Sequence, residues 1–186
     1  MKKTFRFIFA LAITAAFASC ASVQKTPELN RVYVTNTTPV DLLPPSAIRT
    51  EIDEMQYFEG TFAEKSFSTM LYLQADSTQI QVLMLNEMGI EIGTLTYDGI
   101  TCQMESAFFP KKLKAEYIIL DLQNAYADSE ELQTHYKKYG LTFEQNGTTR
   151  TLSRKNTLIE EITAEDNILT IKNHLRGYMY KLTAGE

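Results

Sequence analysis

The sequence has few of the residues from which catalytic and metal sites are usually built. It contains two cysteines, Cys20 and Cys102, and two histidines, His135 and His174. Two cysteines cannot form the disulfide framework of a small secreted domain, and we expect Cys102 to be a small apolar core residue in a strand. The histidines fall in a polar helical stretch and in a turn, so we expect both at the surface. The chain also lacks a G-x-S-x-G elbow, an H-E-x-x-H pair and a phosphate-binding glycine loop, so we predict no enzyme activity, no metal site and no cofactor.

The charges of the chain argue against two further classes of site. The net charge is −5, and residues 1–19 hold three of the 18 basic residues and none of the 23 acidic ones. Without clustered Lys and Arg, the rest of the chain is poorly suited to neutralise phosphates, so nucleic acid is not an expected partner. Glu160 and Glu161 are adjacent in a predicted strand, where their side chains point to opposite faces and cannot form a working acid–base pair.

The amino terminus has an apolar run that is too short to cross a membrane. A basic segment, residues 2–6, precedes an 11-residue apolar stretch from Phe7 to Phe17, whereas a spanning helix needs about 20 residues. This pattern is typical of a cleaved export signal over residues 1–19. The segment that ends at Cys20 resembles the lipobox of bacterial lipoproteins, which predicts that Cys20 is lipidated. An ordinary signal peptide with a chance cysteine is the alternative.

Lipidation of Cys20 would anchor the chain to a membrane. A single acyl chain binds membranes with a constant of only about 10⁴ M⁻¹, whereas two or more chains hold a protein stably. By resemblance to known lipoprotein sorting rules, the absence of Asp from Ala21-Ser22 implies the outer membrane, with the protein facing the periplasm. Residues 20–50 contain Pro-punctuated segments such as Leu42 to Pro45, and we predict that they form an extended, lipid-anchored tether.

The most regular pattern of the chain runs from Ser66 to Glu105. Apolar residues alternate with other residues along three or four short segments, and turn residues separate the segments at Asp76-Ser77, at Asn86 to Gly89 and at Asp98-Gly99. Alternation with a period of two indicates an antiparallel meander with one apolar face.

A helical pattern interrupts the strands in the middle of the chain. Between Lys114 and Ala127, apolar residues recur at steps of three and four residues, which predicts a helix with a broad apolar stripe. Asp121, Gln123 and Asn124 lie outside that stripe. A second helix is expected to follow and to end at Gly140.

Short strands surround these helices on both sides. Asn146-Gly147 predicts a hairpin with a type I′ turn. We predict a mainly β (α+β) domain over residues 51–186, with about ten antiparallel strands in a curved sheet and the two inserted helices as its lid. Besides those of the meander, the predicted strands are Ile52–Phe58, Leu141–Gln145, Thr148–Arg154, Leu158–Ile162, Ile168–Asn173 and Tyr178–Leu182.

A curved sheet covered by two helices need not fill its own interior. Nearly closed small barrels hold one ligand among inward-facing side chains, and a dry, filled core is the alternative. Met88, at a predicted turn, is either an exposed apolar tip that touches a membrane or an ordinary turn residue. The side chains predicted to line a ligand site are Phe67, Leu71, Leu73, Ile80, Val82, Met84, Ile92, Tyr117 and Leu120.

Several short motifs occur together in one order along the chain. They are the lipobox, Leu42-Leu43-Pro44-Pro45, Tyr97-Asp98-Gly99, Asp121-Leu122-Gln123, Gly147-x₂-Arg150-x-Leu152-x-Arg154 and Asn173-x₃-Gly177-Tyr178. In this order they resemble a bacterial outer-membrane lipoprotein family, domain of unknown function 3261, that often accompanies aryl polyene gene clusters. That family is in turn similar to the LolA/LolB lipoprotein carriers, whose fold is an unclosed antiparallel barrel lidded by helices.

The resemblance implies a function without chemistry at the bound molecule. A lipid-anchored half-barrel would bind a hydrophobic chain, such as a lipoprotein acyl chain, a lipid or an aryl polyene, and transfer it to the outer membrane. The competing interpretation is a non-enzymatic envelope scaffold with a filled β core that docks other envelope proteins through its strand edges. A cavity of a few hundred cubic ångströms inside the sheet would discriminate between the two. An acyl hydrolase is a third interpretation, for which no nucleophile is positioned.

Overall fold

Ten antiparallel strands form one sheet that does not close into a barrel. The computed structural model describes residues 30–62, 65–106 and 114–185. The prediction of a mainly β domain with an unclosed ten-stranded sheet and two helices is confirmed. In chain order the elements are β1 (Arg31–Thr35), β2 (Thr38–Asp41), a 3-10 helix (Pro45–Ala47), β3 (Ile52–Phe62), β4 (Lys65–Ala75), β5 (Ile80–Leu85), β6 (Glu91–Tyr97), β7 (Cys102–Ser106), α1 (Ala115–Tyr126), α2 (Ser129–Lys137), β8 (Thr142–Asn146), β9 (Thr149–Arg154), β10 (Thr157–Glu165), β11 (Ile168–Asn173) and β12 (Tyr178–Ala184).

The topology of the sheet explains where the helices lie. The strand order is β7-β6-β5-β4-β3-β12-β11-β10-β9-β8, so two five-stranded meanders meet where β3 pairs with β12. The edge strands are β7 and β8, and α1 and α2 lie between these two strands in the sequence. The chain must therefore pass from one edge of the sheet to the other, and the helices cover one face of the sheet on the way.

Alternation of side chains decides which face of the sheet the helices cover. In β5, Ile80, Val82 and Met84 are buried while the residues between them are half-buried. The same period of two recurs along the second half of β4 and along β6.

The turns between these strands are stabilised by side-chain acceptors, since Asp76 and Asp98 each accept two backbone N–H groups of the following residues. The meander predicted from Ser66 to Glu105 is confirmed.

The type I′ turn of the second meander lies at a different place from the predicted one. Lys155 and Asn156 both have positive φ, +47° and +64°, as a type I′ turn requires. They connect β9 to β10, where Arg154 pairs with Thr157. In the hairpin before it, Asn146 is the last residue of β8 and φ is positive at Gly147. The prediction of a type I′ turn at Asn146-Gly147 was therefore wrong.

Residues 30–50 belong to the folded domain rather than to a tether. β1 and β2 form an antiparallel hairpin in which Val32 pairs with Val40, and both side chains are buried in the main hydrophobic core. Leu42 and Leu43 are buried in the same core. The expectation of an extended tether reaching residue 50 is corrected because these apolar side chains pack under α1. The signal peptide, Cys20 and the rest of the expected tether, residues 1–29, lie outside the described residues.

Helix α1 is fixed to this amino-terminal segment by a buried amide. Gln123 is 1% exposed. Its side chain accepts the N–H of Leu43 at 3.1 Å and donates to the carbonyl of Leu43 at 2.5 Å. Tyr97 also donates its hydroxyl to that carbonyl, at 3.0 Å. Three sequence motifs, those that contain Leu43, Tyr97 and Gln123, therefore meet at the backbone of Leu43, and their role there is structural.

A second set of contacts secures the carboxyl end of α1. The Nη1 atom of Arg150 donates to the carbonyls of Asn124 and Ala127, at 3.0 and 2.8 Å. These are carbonyls that a helix end leaves without an intrahelical partner. The predicted helix from Lys114 to Ala127 is confirmed. Lys114 is the N-cap of α1, and Ala127 is its C-cap.

Candidate functional site

A cavity of about 620 Å³ lies between α1 and the face of the sheet that α1 covers. It is formed mainly by β3 to β6 and β12 on one side and by the first two turns of α1 on the other. The turns after β1 and β11 also contribute to it. Its lining residues are Asn36, Phe58, Gly60, Thr61, Phe67, Leu71, Leu73, Val82, Met84, Leu95, Lys114, Tyr117, Ile118, Asp121, Leu122, Leu175, Arg176, Tyr178, Met179, Tyr180 and Leu182.

The inner end of the cavity is apolar. Leu73, Val82 and Leu95 are cross-strand neighbours on three adjacent strands and are 1–5% exposed. The outer end is more open, because Leu175 and Met179 are 45% and 36% exposed. The cavity therefore has a closed apolar end and a mouth beside the turn between β11 and β12.

Six of the nine predicted ligand-site residues line this cavity. They are Phe67, Leu71, Leu73, Val82, Met84 and Tyr117.

The other three predicted residues, Ile80, Ile92 and Leu120, do not line the cavity. Ile80 is fully buried in the main hydrophobic core. Leu120 is also a core residue. The residues of α1 that line the cavity are Tyr117, Ile118, Asp121 and Leu122.

Ile92 was placed on the wrong face of β6. The buried residues of this strand are Gly93, Leu95 and Tyr97. The alternation along β6 is regular from Ile92 to Tyr97. Ile92 is an odd number of residues from Leu95 and Tyr97, so a period of two already places it on the other face, and the prediction did not apply the alternation to this strand.

Four aromatic rings form a row along the cavity wall. Phe67 lies 5.4 Å from Phe58, Phe58 lies 5.4 Å from Tyr180, and Tyr180 stacks on Tyr178 at 6.1 Å, all between ring centroids. The row depends on Gly60, because a Cβ atom at this position would lie 2.6 Å from the tip of the Phe67 ring. The glycine thus lets the Phe67 ring lie flat across β3.

One buried carboxylate interrupts the apolar lining. Asp121, on α1, is 3% exposed. It accepts the hydroxyl of Tyr178 at 2.8 Å and that of Tyr180 at 3.0 Å. Burial raises the pKa of Asp121 to about 6, although the two hydroxyls and the positive charge of Arg176 oppose this rise. The tyrosines remain neutral donors, since burial also raises the pKa of each.

A second carboxyl group lies next to Asp121. Glu160, on β10, is 2% exposed. Its oxygens accept from the side-chain amides of Asn124 at 2.9 Å and Asn173 at 3.4 Å. Burial first, and then the charge of Asp121, raise the pKa of Glu160 well above its usual range. Of the two groups, Glu160 is therefore the one that keeps its proton to the higher pH.

The sequence did not reveal this polar cluster. Asp121 and Asn124 were expected outside the apolar stripe of the helix, yet both are buried. Their partners come from strands 36 to 59 residues further along the chain. The one local signal was the i, i+3 spacing of Asp121 and Asn124, which places both on one side of a helix.

A cation lies at the mouth of the cavity. The guanidinium carbon of Arg176 lies 4.3 Å from the ring centroid of Tyr117. One of its nitrogens donates to the Tyr117 hydroxyl at 3.1 Å and to the carbonyl of Tyr33. Among the described residues, Arg176 forms no ion pair. Lys114, at the start of α1, is exposed and also lines the cavity.

The remaining residues with possible chemistry do not form a site. Cys102 is half-buried in β7, and burial raises the pKa of its thiol to about 12. His174 is exposed as expected, but His135 is 8% exposed, so its expected surface position is corrected. The ring of His135 lies against two tyrosine rings, edge-on to Tyr136 in α2 and tilted to Tyr139 just after the helix, with centroids 5.5 and 5.2 Å away. The described ranges contain no group of acidic, His and Cys side chains suited to hold a metal ion.

Within residues 30–62, 65–106 and 114–185, no helix is long and apolar enough to cross a membrane. Met88 is 78% exposed at the turn between β5 and β6.

Comparison with known proteins gives one family. The family described as "Protein of unknown function (DUF3261)" matches residues 53–184. No curated protein matches the chain. The family match covers most of the chain, from the first strand of the large sheet to the last, and includes the cavity wall and α1. The chain therefore belongs to the DUF3261 family.

Proposed function

We propose that this protein is a lipid-anchored periplasmic protein that binds a hydrophobic chain in the cavity and transfers it to the outer membrane. The bound molecule is a lipoprotein acyl chain, a lipid or an aryl polyene. The observation that carries the proposal is the cavity of about 620 Å³ with a closed apolar end. This volume lies within the range of about 300–1,000 Å³ that is typical of small-molecule sites.

The lining supplies binding energy without polar chemistry. Each methylene group removed from water contributes about 0.8 kcal/mol, so a chain of roughly ten methylenes gains about 8 kcal/mol before the costs of association. Leu73, Val82 and Leu95 offer side chains that are already buried and ordered on adjacent strands. A preformed wall of this kind reduces the entropic cost of binding.

The hydrogen bonds that hold α1 are unevenly distributed along the helix. The carboxyl half of α1 is held by Gln123, Asn124 and Arg150 through buried or half-buried hydrogen bonds. The amino-terminal turn, by contrast, begins at the exposed Lys114 without a side-chain cap. We therefore propose an exit beside this first turn rather than a lid motion of the whole helix.

The scaffold interpretation requires a filled interior, and the cavity favours the binding proposal over it. The lipid anchor at Cys20 and the outer-membrane location belong to the same proposal and rest on the sequence motif. The resemblance to LolA/LolB carriers and the link to aryl polyenes support the proposal from the sequence.

A neutral fluorescent probe tests the binding step. N-phenylnaphthylamine should bind the full chain and fluoresce. Val82→Phe places a phenyl ring in the closed end of the cavity and should weaken probe binding about tenfold or more, since it removes apolar volume there. Leu83→Phe is the matched control, because Leu83 is the next residue of β5 and lies on the opposite face. Equal binding by both variants would contradict the proposal.

A further inference from the structure

The cavity has an uneven distribution of charge along its length. Its closed end is apolar, and its mouth carries Arg176 and Lys114. A single-chain molecule that enters with its tail first would leave its head group beside these two cations. This inference rests on the proposed function, since it concerns which hydrophobic molecule the cavity accepts.

Arg176 is prepared to bind an anion. Its guanidinium is half-buried and is held in place by the ring of Tyr117 at 4.3 Å and by hydrogen bonds to Tyr117 and Tyr33. These bonds use one of its two terminal nitrogens, and no described residue forms an ion pair with it. No described residue accepts a hydrogen bond from the other terminal nitrogen, Nη1, or from Nε. These two atoms point to different sides of the guanidinium, so each can give one charge-assisted hydrogen bond to a carboxylate or phosphate.

Asp121 is the competing charge in the same cavity. Its carboxylate already accepts from the hydroxyls of Tyr178 and Tyr180 and interacts with Glu160. It is also 3% exposed, whereas Arg176 is half-buried at the mouth. A cationic head group would have to displace these partners to reach Asp121, while an anion reaches Arg176 from outside.

We infer that the ligand is a single-chain amphiphile with an anionic head group, a carboxylate or a phosphate, that pairs with Arg176 while its apolar tail fills the closed end of the cavity. Lys114 contributes a second, more exposed positive charge. The polar residues of the mouth thus set the class of ligand and its orientation.

The test compares head groups on one tail. Dodecanoate, dodecyl phosphate, dodecanol and dodecylamine are titrated against the full chain at neutral pH by displacement of N-phenylnaphthylamine. Arg176→Gln should weaken dodecanoate or dodecyl phosphate about tenfold, the value of one charge-assisted hydrogen bond, and dodecanol by no more than about twofold. The anion that loses more affinity identifies the head group as carboxylate or phosphate.

Two further variants separate charge from structure. Arg176→Lys keeps the charge and should retain part of the preference for the anions. Arg49→Gln removes an exposed arginine paired with Asp128 and should change no affinity. An equal loss for all four probes in Arg176→Gln would overturn the inference, because Arg176 would then act only in packing. Tightest binding of dodecylamine would also overturn it, and would point to Asp121. If none of the four binds the unmodified chain, the proposed function itself fails, and the inference fails with it.

Discussion

The hydroxyl of Tyr178 donates to the carboxylate of Asp121, with the Tyr178 oxygen 2.8 Å from Oδ2 and 3.0 Å from Oδ1. This bond joins α1 to β12 across the edge of the cavity. The Asp121 carboxylate lies in a mainly apolar wall of the cavity, where a carboxylate without a hydrogen-bond partner would be costly.

Removal of this donor should destabilise the fold at neutral pH. In Tyr178→Phe the Asp121 carboxylate keeps Tyr180 but loses one buried partner, so we expect a loss of about 1–3 kcal/mol in the free energy of unfolding. The pKa of Asp121 should rise further, because the hydroxyl of Tyr178 favours the ionised form. Urea unfolding measures the first effect. Tyr57→Phe is the control, since Tyr57 is 47% exposed, and an equal change in both variants would contradict this account.

The Asp121–Glu160 pair should make stability depend on pH. Both groups have pKa values raised above their ordinary ones, Asp121 to about 6 and Glu160 by a larger amount. Over the range from their ordinary pKa values to the raised ones, the folded state binds more protons than the unfolded state. The contribution of the pair to stability is therefore greatest at acid pH and decreases as the pH rises through this range.

Glu160→Gln tests this dependence. The amide is neutral at every pH, so the variant should lose stability only through Asp121, up to a pH of about 6, and little above it. The unmodified chain should lose stability over a wider range, by about 1.4 kcal/mol for each proton and pH unit. His135 acts in the opposite direction, because burial lowers its pKa, so the difference between variant and unmodified chain is the quantity to compare. Asp76 and Asp98 have lowered pKa values and contribute only below this range. Parallel stability curves for the two chains would show that Glu160 does not hold the proton.

Gln123→Met tests whether residues 30–50 are part of the domain. The methionine fills a similar volume but leaves the N–H of Leu43 without its acceptor, which should cost about 1–3 kcal/mol. The segment around Leu43 should then become a site of early proteolytic cleavage, as mapped by mass spectrometry. Gln133→Met, at an exposed position of α2, is the control. Equal protection of residues 42–48 in both variants would contradict the role assigned to Gln123.

Cys102 should be a slow thiol in the folded chain. Burial raises its pKa to about 12, and only the thiolate reacts readily with alkylating reagents. Iodoacetamide at neutral pH should label Cys102 much more slowly in the native chain than in denaturant, as counted by peptide mass spectrometry. Equal rates in the two conditions would show that the thiol is accessible.

The sequence predicted those elements whose pattern is local. The alternation in β4 to β6 and the apolar spacing of α1 follow from burial of one face, and both were confirmed. The hairpin of β1 and β2 was missed because each strand has only four or five residues and the buried valines are separated by a polar turn. Its burial depends on α1, which lies some 80 residues away along the chain.

The candidate site was predictable only where it is apolar. Leu71, Leu73 and Val82 were identified because alternation fixes their face of the sheet. Asp121 and Glu160 were not, because a pattern of periodicity treats a polar residue as exposed, and only the tertiary structure supplies the amides and hydroxyls that make its burial possible. The volume of the cavity is a property of the whole packing and has no local signal in the sequence.

Mass spectrometry of co-purified lipids tests the central claim most directly. The full chain with Cys20→Ala lacks the proposed lipid acceptor and is collected from the soluble envelope fraction without detergent, in parallel with the same chain carrying Val82→Phe. Organic extracts are then compared at equal protein amounts. Our account predicts one class of acyl or polyene molecule at a near-equal molar ratio in the first extract and its loss in the second. Extracts that are both empty, from chains that unfold cooperatively, would contradict it and favour the scaffold interpretation.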